Sequence, residues 1–137
     1  MITSLPKYNS LIIKSSINEI HLVEDFLEPF KTTLDDSKYF NLYTCVYEAV
    51  VNSIKHGNAS DIKKTVILKY EIKDNTIDFF IHDEGKGFDF NNIIDPTLPE
   101  RINLPNGRGI HLIKHLTHYY QFLNKGSILQ LQFLIND

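Results

Sequence analysis

The chain contains Glu48-Ala49-Val50-Val51-Asn52, a run that continues into His56-Gly57-Asn58. Apolar side chains recur through this part of the chain at helical spacing: Tyr43, Val46, Val50 and Ile54. The spacing predicts a helix over residues 37–56, with Gly57 as its C-terminal stop. Glu48, Asn52 and His56 are each four residues apart, so they share a helix face away from the apolar stripe.

This polar helix face has two interpretations. A row of polar side chains along a helix is commonly a solvated surface, and that interpretation stays open for these residues taken alone. The alternative is a site that handles phosphate. The side-chain oxygen of Asn52 suits Mg²⁺, which binds few protein groups and keeps phosphates and waters as ligands. Glu48, one turn earlier, can orient or deprotonate a hydroxyl that attacks a γ-phosphate.

A second block, Asp83-Glu84-Gly85-Lys86-Gly87, directly follows a predicted strand at residues 76–82. Asp and Gly are common turn residues, so a simple acidic turn is one interpretation. In the other, the Asp83 carboxylate accepts a hydrogen bond from an exocyclic amine such as the N6 group of adenine. Gly85 and Gly87 then let the backbone approach a flat ring without an intervening Cβ.

A third block, Asn106-Gly107-Arg108-Gly109-Ile110, begins a predicted helix. The free N–H groups and dipole at such a helix start favour an anion, and Arg108 can add a charged contact to phosphate. A flexible junction between loop and helix is the alternative. The block is not a Walker A loop, because no Lys-Ser/Thr pair follows, and it does not follow a strand as a Rossmann turn does.

The N-terminal part of the chain predicts a strand followed by a helix. Residues 10–15 form a short apolar run. Residues 17–30 carry apolar side chains at helical spacing, and Ser16 followed by Glu19 matches the capping-box pattern. Pro29 is expected to end or kink this helix, since proline has no backbone N–H.

Two hairpins and a long loop account for the rest of the chain. Residues 65–73 and 76–82 predict one hairpin, and residues 119–124 and 128–135 predict another. Residues 88–106 contain three prolines and show no clear period, which is typical of a lid or a binding loop. The order of elements predicts an α+β fold, a two-layer sandwich with a mixed, mostly antiparallel sheet and helices on one face.

Composition restricts the class of protein. We expect a single domain over residues 1–137, large enough to bury a core without disulfides. The net charge of −3 offers no basic surface for nucleic acid, and no apolar stretch is long enough to span a membrane. Cys45 lies in an apolar run, so we expect a small buried hydrophobe rather than a catalytic thiol. A cytoplasmic location fits the absence of any possible internal disulfide.

The histidines of the third predicted helix allow one further interpretation. His111 and His115 are four residues apart, a spacing that can bind zinc. No neighbouring cysteine or carboxylate completes a ligand set, so exposed or partly buried histidines are favoured.

The three blocks together resemble the N, G1 and G2 boxes of the GHKL ATPase and kinase superfamily, which has the Bergerat ATP-binding fold. The matching residues are Glu48-Ala49-Val50-x-Asn52, Asp83-x-Gly85-x-Gly87-Phe88-Asp89 and Gly107-Arg108-Gly109-Ile110-x-Leu112-Ile113. The similarity extends over residues 17–124. Within the superfamily, the chain resembles the small stand-alone anti-sigma factor serine kinases of bacterial partner-switching systems.

The resemblance implies a role for each matching residue. Glu48 is the implied catalytic base, Asn52 the implied Mg²⁺ ligand and Asp83 the implied reader of the adenine of ATP. The other implied nucleotide-binding residues shape the pocket floor or hold the phosphates: Gly85, Gly87, Gly107, Arg108, Gly109 and Ile110. Residues 88–106 are the implied ATP lid.

The resemblance also implies a function. It predicts an ATP-dependent serine/threonine protein kinase that phosphorylates a small anti-sigma-factor antagonist-like protein and sequesters a partner such as a sigma factor. Homodimers are common in the family. One alternative is a nucleotide-gated binding module without useful phosphotransfer, and another is a detached histidine-kinase-like ATPase domain. No dimerisation helix with a phosphoacceptor histidine precedes the domain, which argues against a complete sensor histidine kinase.

Overall fold

The computed structural model describes residues 2–86 and 107–137. They form five strands and three α-helices. In chain order these are β1 (Tyr8–Lys14), α1 (Ile20–Thr33), α2 (Asp36–Asn52), β2 (Thr65–Lys73), β3 (Thr76–His82), α3 (Gly107–Leu116), β4 (Tyr119–Leu123) and β5 (Ile128–Leu134). Both predicted hairpins and the helix that begins at Gly107 are confirmed. The predicted lid at residues 88–106 lies outside the described residues, as does Gly87.

The five strands form one sheet in the order β1-β2-β3-β5-β4, and every described pair is antiparallel. The register places Leu68 opposite Ile81 and Ile81 opposite Leu129, so apolar side chains line up across three strands. Because side chains alternate along a strand, these residues share one face. That face is buried beneath the helices, with α1 against β1 and α2 against β3 and β5. The predicted α+β sandwich is confirmed.

Aromatic rings fill the centre of the core between α1 and the sheet. Phe30 of α1 meets the rings of Tyr70 and Phe79 at centroid distances of 5.0 and 5.7 Å. Phe30 and Phe79 are fully buried, and each contributes about 1.5–3 kcal/mol through the apolar area that it removes from water. Tilted and edge-on ring pairs of this kind add roughly 0.5–1.5 kcal/mol beyond the burial. These contacts fix α1 on the sheet.

Helix α1 differs from the sequence-based prediction at Pro29 and at its N-terminal cap. Pro29 does not end the helix, which continues to Thr33. The hydroxyls of Thr32 and Thr33 donate to the Pro29 carbonyl at 3.2 and 3.1 Å, and the buried Phe30 anchors the last turn. Tertiary packing therefore outweighs the hydrogen bond that proline cannot make.

The predicted capping box at the start of α1 is also only half correct. The Ser16 side chain does accept from the Asn18 N–H, but it caps a 3₁₀ turn at Ile17–Glu19 that precedes the α-helix. The Glu19 carboxylate accepts from the Lys14 N–H at 3.0 Å instead of from Ser16. The Ser16 N–H already donates to the Lys14 carbonyl, so it is not free to donate to Glu19.

Candidate functional site

A cavity of about 380 Å³ lies where the end of α2 faces the end of β3 and the β4–β5 hairpin. This volume falls within the roughly 300–1,000 Å³ that is usual for small-molecule sites. One wall comes from α2 and the turn after it: Ala49, Asn52, Ser53, His56 and Gly57. Their spacing of three and four residues places them on one helix face. Apolar side chains line other parts of the cavity: Ile81, Ile113, Phe122 and Leu129.

The predicted polar row on α2 is only partly brought to this cavity. Asn52 and His56 line it, together with Asp83 and Gly85 from the second block. Glu48 is half-buried on α2, one turn before Asn52, and does not belong to the set of lining residues. The first two sequence blocks therefore meet in space, with Glu48 beside the cavity rather than in its wall.

The cavity wall ends in a π-helical turn that the sequence does not predict. Helix α2 stops at Asn52, and Ser53–Gly57 follow with wider hydrogen bonding, in which the Asn58 N–H donates to the Ser53 carbonyl at 2.8 Å. Ala59 and Ser60 come next with φ values of 51° and 57°. Left-handed backbone costs about 1–2 kcal/mol per residue for side chains with a Cβ. Single π turns of this kind recur at functional sites.

Asp83 occupies a well-defined position at the end of β3. Its backbone N–H donates to the Ser127 carbonyl at 3.0 Å, and its Oδ1 accepts from the Gly85 N–H at 2.8 Å. Burial raises the pKa of the Asp83 carboxyl, although hydrogen bonds from Gly85 and Ser53 and the charge of Lys64 oppose this effect. The result is a half-buried carboxyl in a cavity that both apolar and polar side chains line.

Gly57 and Gly85 let two segments, the end of α2 and the turn after β3, approach each other closely beside this carboxyl. A Cβ on Gly57 would overlap the Asp83 Oδ2 atom, and a Cβ on Gly85 would overlap the Gly57 carbonyl oxygen. The sequence assigned Gly57 only a helix-ending role, but its missing side chain also makes room for Asp83. Gly85 permits the close approach of the Gly57 backbone, and its role toward a flat ring stays a prediction.

Asn58, directly after Gly57, is buried completely. Its Oδ1 accepts from the Glu84 N–H at 2.7 Å, and its Nδ2 donates to the Ser15 Oγ at 2.8 Å and the Thr65 carbonyl at 2.9 Å. The Glu84 carboxylate in turn accepts from the Thr65 N–H at 2.6 Å. Asn58 therefore connects the end of α2 to β1, to β2 and to the turn after Asp83.

The third block supplies the backbone of a helix start. Helix α3 begins at Gly107, as predicted, and runs through Arg108, Gly109 and Ile110. First-turn N–H groups of a helix have no partner within it and favour anions. Further along α3, the buried Ile113 contributes to the cavity wall. Asn106 lies outside the described residues.

The other features considered in the sequence, the histidine pair and Cys45, do not form a site in the described residues. The His111 and His115 rings meet edge to face at 4.4 Å, yet residues 2–86 and 107–137 contain no group of three or more His, Cys, Asp or Glu able to hold a metal. Cys45 is a buried hydrophobe as predicted, and burial raises its pKa to about 12. None of the helices in the described part of the chain has the length and apolar character needed to cross a bilayer.

A sequence profile of the histidine kinase-like ATPase domain matches residues 14–133, most of the chain. The chain belongs to the histidine kinase-like ATPase domain family. The GHKL resemblance of the three sequence blocks is thereby confirmed.

Curated relatives of this histidine kinase-like ATPase domain include the serine-protein kinase RsbW of Bacillus cereus (strain AH820) and the protein of the same name from Bacillus anthracis. Each is 28% identical over 85 residues, which cover 58% of this chain and 52% of the relative. The chain thus spans about half the length of the curated relatives that it matches.

Several residues that line the cavity of this ATPase domain were not predicted from the sequence. Ser53 and Gly57 lie next to the first block, so their proximity was a usable signal. Lys64 and Ser127 also line the cavity, but they lie far from every block in the sequence. Only the antiparallel pairing of β3 with β5 brings Ser127 beside Asp83.

Proposed function

We propose that this protein is an ATP-binding serine/threonine protein kinase of the anti-sigma factor type. The observation that carries the proposal is the Asp83 carboxyl, held between Gly57 and Gly85 in a cavity that Asn52 also lines. Family membership and the similarity to RsbW serine kinases support it. We propose that residues 1–137 act as one domain in the cytoplasm.

Adenine occupies the end of the cavity nearest Asp83. The Asp83 carboxylate accepts a hydrogen bond from the N6 amine. Gly57 and Gly85, which have no Cβ, let the end of α2 and the turn after β3 pack closely around this carboxylate. Ile81, Leu129 and Ile113 provide apolar surface for the ring. Gly87 shapes the same floor.

The phosphates extend toward the start of α3. The backbone N–H groups of Gly107, Gly109 and Ile110 hold them, together with the Arg108 guanidinium. Asn52 offers its side-chain oxygen to Mg²⁺, a donor that fits an ion which takes few protein ligands. The metal, when bound, neutralises charge on the phosphates, and ATP supplies the group that is transferred.

Transfer requires a base close to the acceptor. Glu48 takes the proton from a serine hydroxyl of the protein substrate, and the serine oxygen forms a bond to the γ-phosphorus as the bond to the β–γ bridging oxygen breaks. Arg108 and the Gly107–Gly109 amides stabilise the charge that develops. Residues 88–106 act as a lid over the nucleotide.

The substrate that we propose is a small anti-sigma-factor antagonist-like protein. Its phosphorylation releases this kinase to sequester a sigma factor or another regulator. A homodimer is the proposed assembly.

One observation favours a second function. Glu48 lies outside the set of residues that line the cavity, so the predicted base is not part of the wall of the site. A nucleotide-gated binding module that transfers no phosphate is therefore the alternative.

Glu48→Gln distinguishes the two functions. We expect the variant to bind ATP with wild-type affinity by calorimetry and to lose phosphotransfer to an antagonist-like protein, with Thr44→Ala as a control on the same helix. Stability of the product in acid and its loss in base would identify phosphoserine and exclude phosphohistidine. Failure of the wild type to bind ATP with Mg²⁺ would overturn both functions.

A further inference from the structure

We propose that Asn58 is the positioning residue that gives this site its selectivity for adenine. The inference rests on the proposed function, because it assumes that Asp83 reads the N6 amine. Asn58 does not line the cavity. It acts through the turn that carries Asp83 and through Gly57, the glycine that precedes it.

The side-chain amide of Asn58 uses its acceptor oxygen and both of its N–H donors in hydrogen bonds. Its Oδ1 takes the Glu84 N–H, and its two Nδ2 hydrogens go to Ser15 and Thr65. Only a carboxamide side chain of this length presents one acceptor and two donors from a single planar group. The side chain is fully buried, so any partner left unmatched by substitution has no access to water and destabilises the folded protein.

The position of Glu84 connects these contacts to the adenine site. Glu84 separates Asp83 from Gly85, and its N–H is the group that Asn58 holds. Asp83 Oδ1 accepts from the Gly85 N–H, so the carboxylate and the backbone of this turn move together. The β2 side is held separately, through the Glu84 carboxylate and the Thr65 N–H.

Asn58 also holds the segment that carries Gly57. Its backbone N–H closes the π turn on the Ser53 carbonyl, and its backbone carbonyl accepts from the Asp61 N–H. Gly57 is thereby held against Asp83 Oδ2. The two segments that border the adenine site are thus held by the same residue, Gly57 through the backbone of Asn58 and Asp83–Gly85 through its side chain. The left-handed Ala59 and Ser60 that follow show that the backbone tolerates strain to keep this arrangement.

The test compares ATP with inosine triphosphate, which has a carbonyl oxygen where ATP has the N6 amine. Asp83 accepts from the amine and repels the oxygen, so we expect the wild type to bind ATP at least tenfold more tightly by calorimetry. In Asn58→Ala, we expect this ratio to fall to threefold or less. The control is Ser15→Ala, which removes a buried hydrogen-bond partner of Asn58 but leaves the Glu84 contact. It should lower thermal stability and keep the wild-type ratio.

The outcomes separate the two levels of the proposal. A wild-type ratio in folded Asn58→Ala would overturn the positioning role, and so would a ratio lost equally in Ser15→Ala. A wild type that binds neither nucleotide, or both equally, would instead contradict the proposed reading of adenine by Asp83.

A measurement on the wild type covers the case in which Asn58→Ala does not fold. The Glu84 N–H donates its hydrogen bond to Asn58 Oδ1. Saturating ATP should slow hydrogen exchange at this N–H at least fivefold more than saturating inosine triphosphate does. Equal protection by the two nucleotides would overturn the inference.

Discussion

The two ends of helix α2 are built in different ways. At its start, the Asp35 side chain accepts from the Lys38 N–H at 2.8 Å, an ordinary N-cap. At its end, the helix widens into a π turn, and Asn58 is then buried among three partners. Ala59 and Ser60 follow in the left-handed region. The first end follows local rules, and the second departs from them.

The difference fits the proposal that the nucleotide site lies at the C-terminal end of α2. The Asp35 cap satisfies a backbone group with a neighbour three residues away, so it serves the helix alone. The contacts of Asn58 reach segments 26 and 43 residues distant in sequence. Strained backbone persists only where the surrounding structure determines it, and such places cluster at functional sites. Substitutions at the two ends should therefore affect different measurements.

The largest expected effect is on nucleotide binding in Gly57→Ala. The new Cβ would overlap Asp83 Oδ2 and displace the carboxylate. We expect ATP affinity, measured by calorimetry, to fall about 100-fold, which corresponds to roughly 2.7 kcal/mol. Tyr47→Phe on the same helix is the control and should retain wild-type affinity. An unchanged affinity in Gly57→Ala would remove the distinction between the two ends.

Asp83→Asn should change binding and stability in opposite directions. The pKa of Asp83 is raised by burial, so the ionised carboxylate costs folding free energy at neutral pH. This cost disappears as pH falls through the raised pKa toward and below the ordinary value of 3.8. We therefore expect Asp83→Asn to be the more stable protein at neutral pH and to lose this advantage in acid.

Thermal unfolding of Asp83→Asn and the wild type from pH 7 down to pH 3 measures this difference, and ATP titration at pH 7 should show weakened binding. A stability advantage that grows on acidification would contradict the assigned direction of the pKa.

Asp35→Ala should lower stability without changing the site. Loss of an N-cap costs about 1 kcal/mol. Urea unfolding should show this decrease, while ATP affinity stays at the wild-type value. Asp35→Asn, which keeps a capping oxygen, should restore most of the stability. A parallel loss of ATP affinity would show that the start of α2 is coupled to the cavity.

The smallest expected effect is in Ala59→Gly. Glycine adopts a φ near 51° without the Cβ clash that alanine suffers there, although it also loses more entropy on folding. We expect a net gain of about 0.5 kcal/mol in the free energy of unfolding. Lys63→Gly, elsewhere in the same connection, is the comparison and should give no gain. A loss of stability in Ala59→Gly would indicate that the strain is smaller than the φ value suggests.

The sequence predicted the parts of this molecule that depend on near neighbours. Strands β2 and β3 and the short turn between them reflect residue type and turn chemistry, which short segments carry by themselves. The positions of Asn52, Asp83 and Gly85 were predicted because each lies in a recognisable block. Their roles toward a nucleotide stay predictions.

The parts that the sequence did not predict depend on distant partners. Pro29 stays within α1 because Phe30 is buried against β2 and β3. The π turn depends on contacts that Asn58 makes with other segments.

The buried thiol of Cys45 can report on the opening of helix α2. It is the single cysteine in the sequence and lies completely buried in α2. A thiol whose pKa is raised to about 12 is almost entirely protonated at neutral pH, and only the thiolate is alkylated rapidly. The rate of Cys45 alkylation therefore reports how often local opening of α2 exposes the thiol. Slowing of that rate by a nucleotide would measure how far binding at one end of the helix tightens the rest of it.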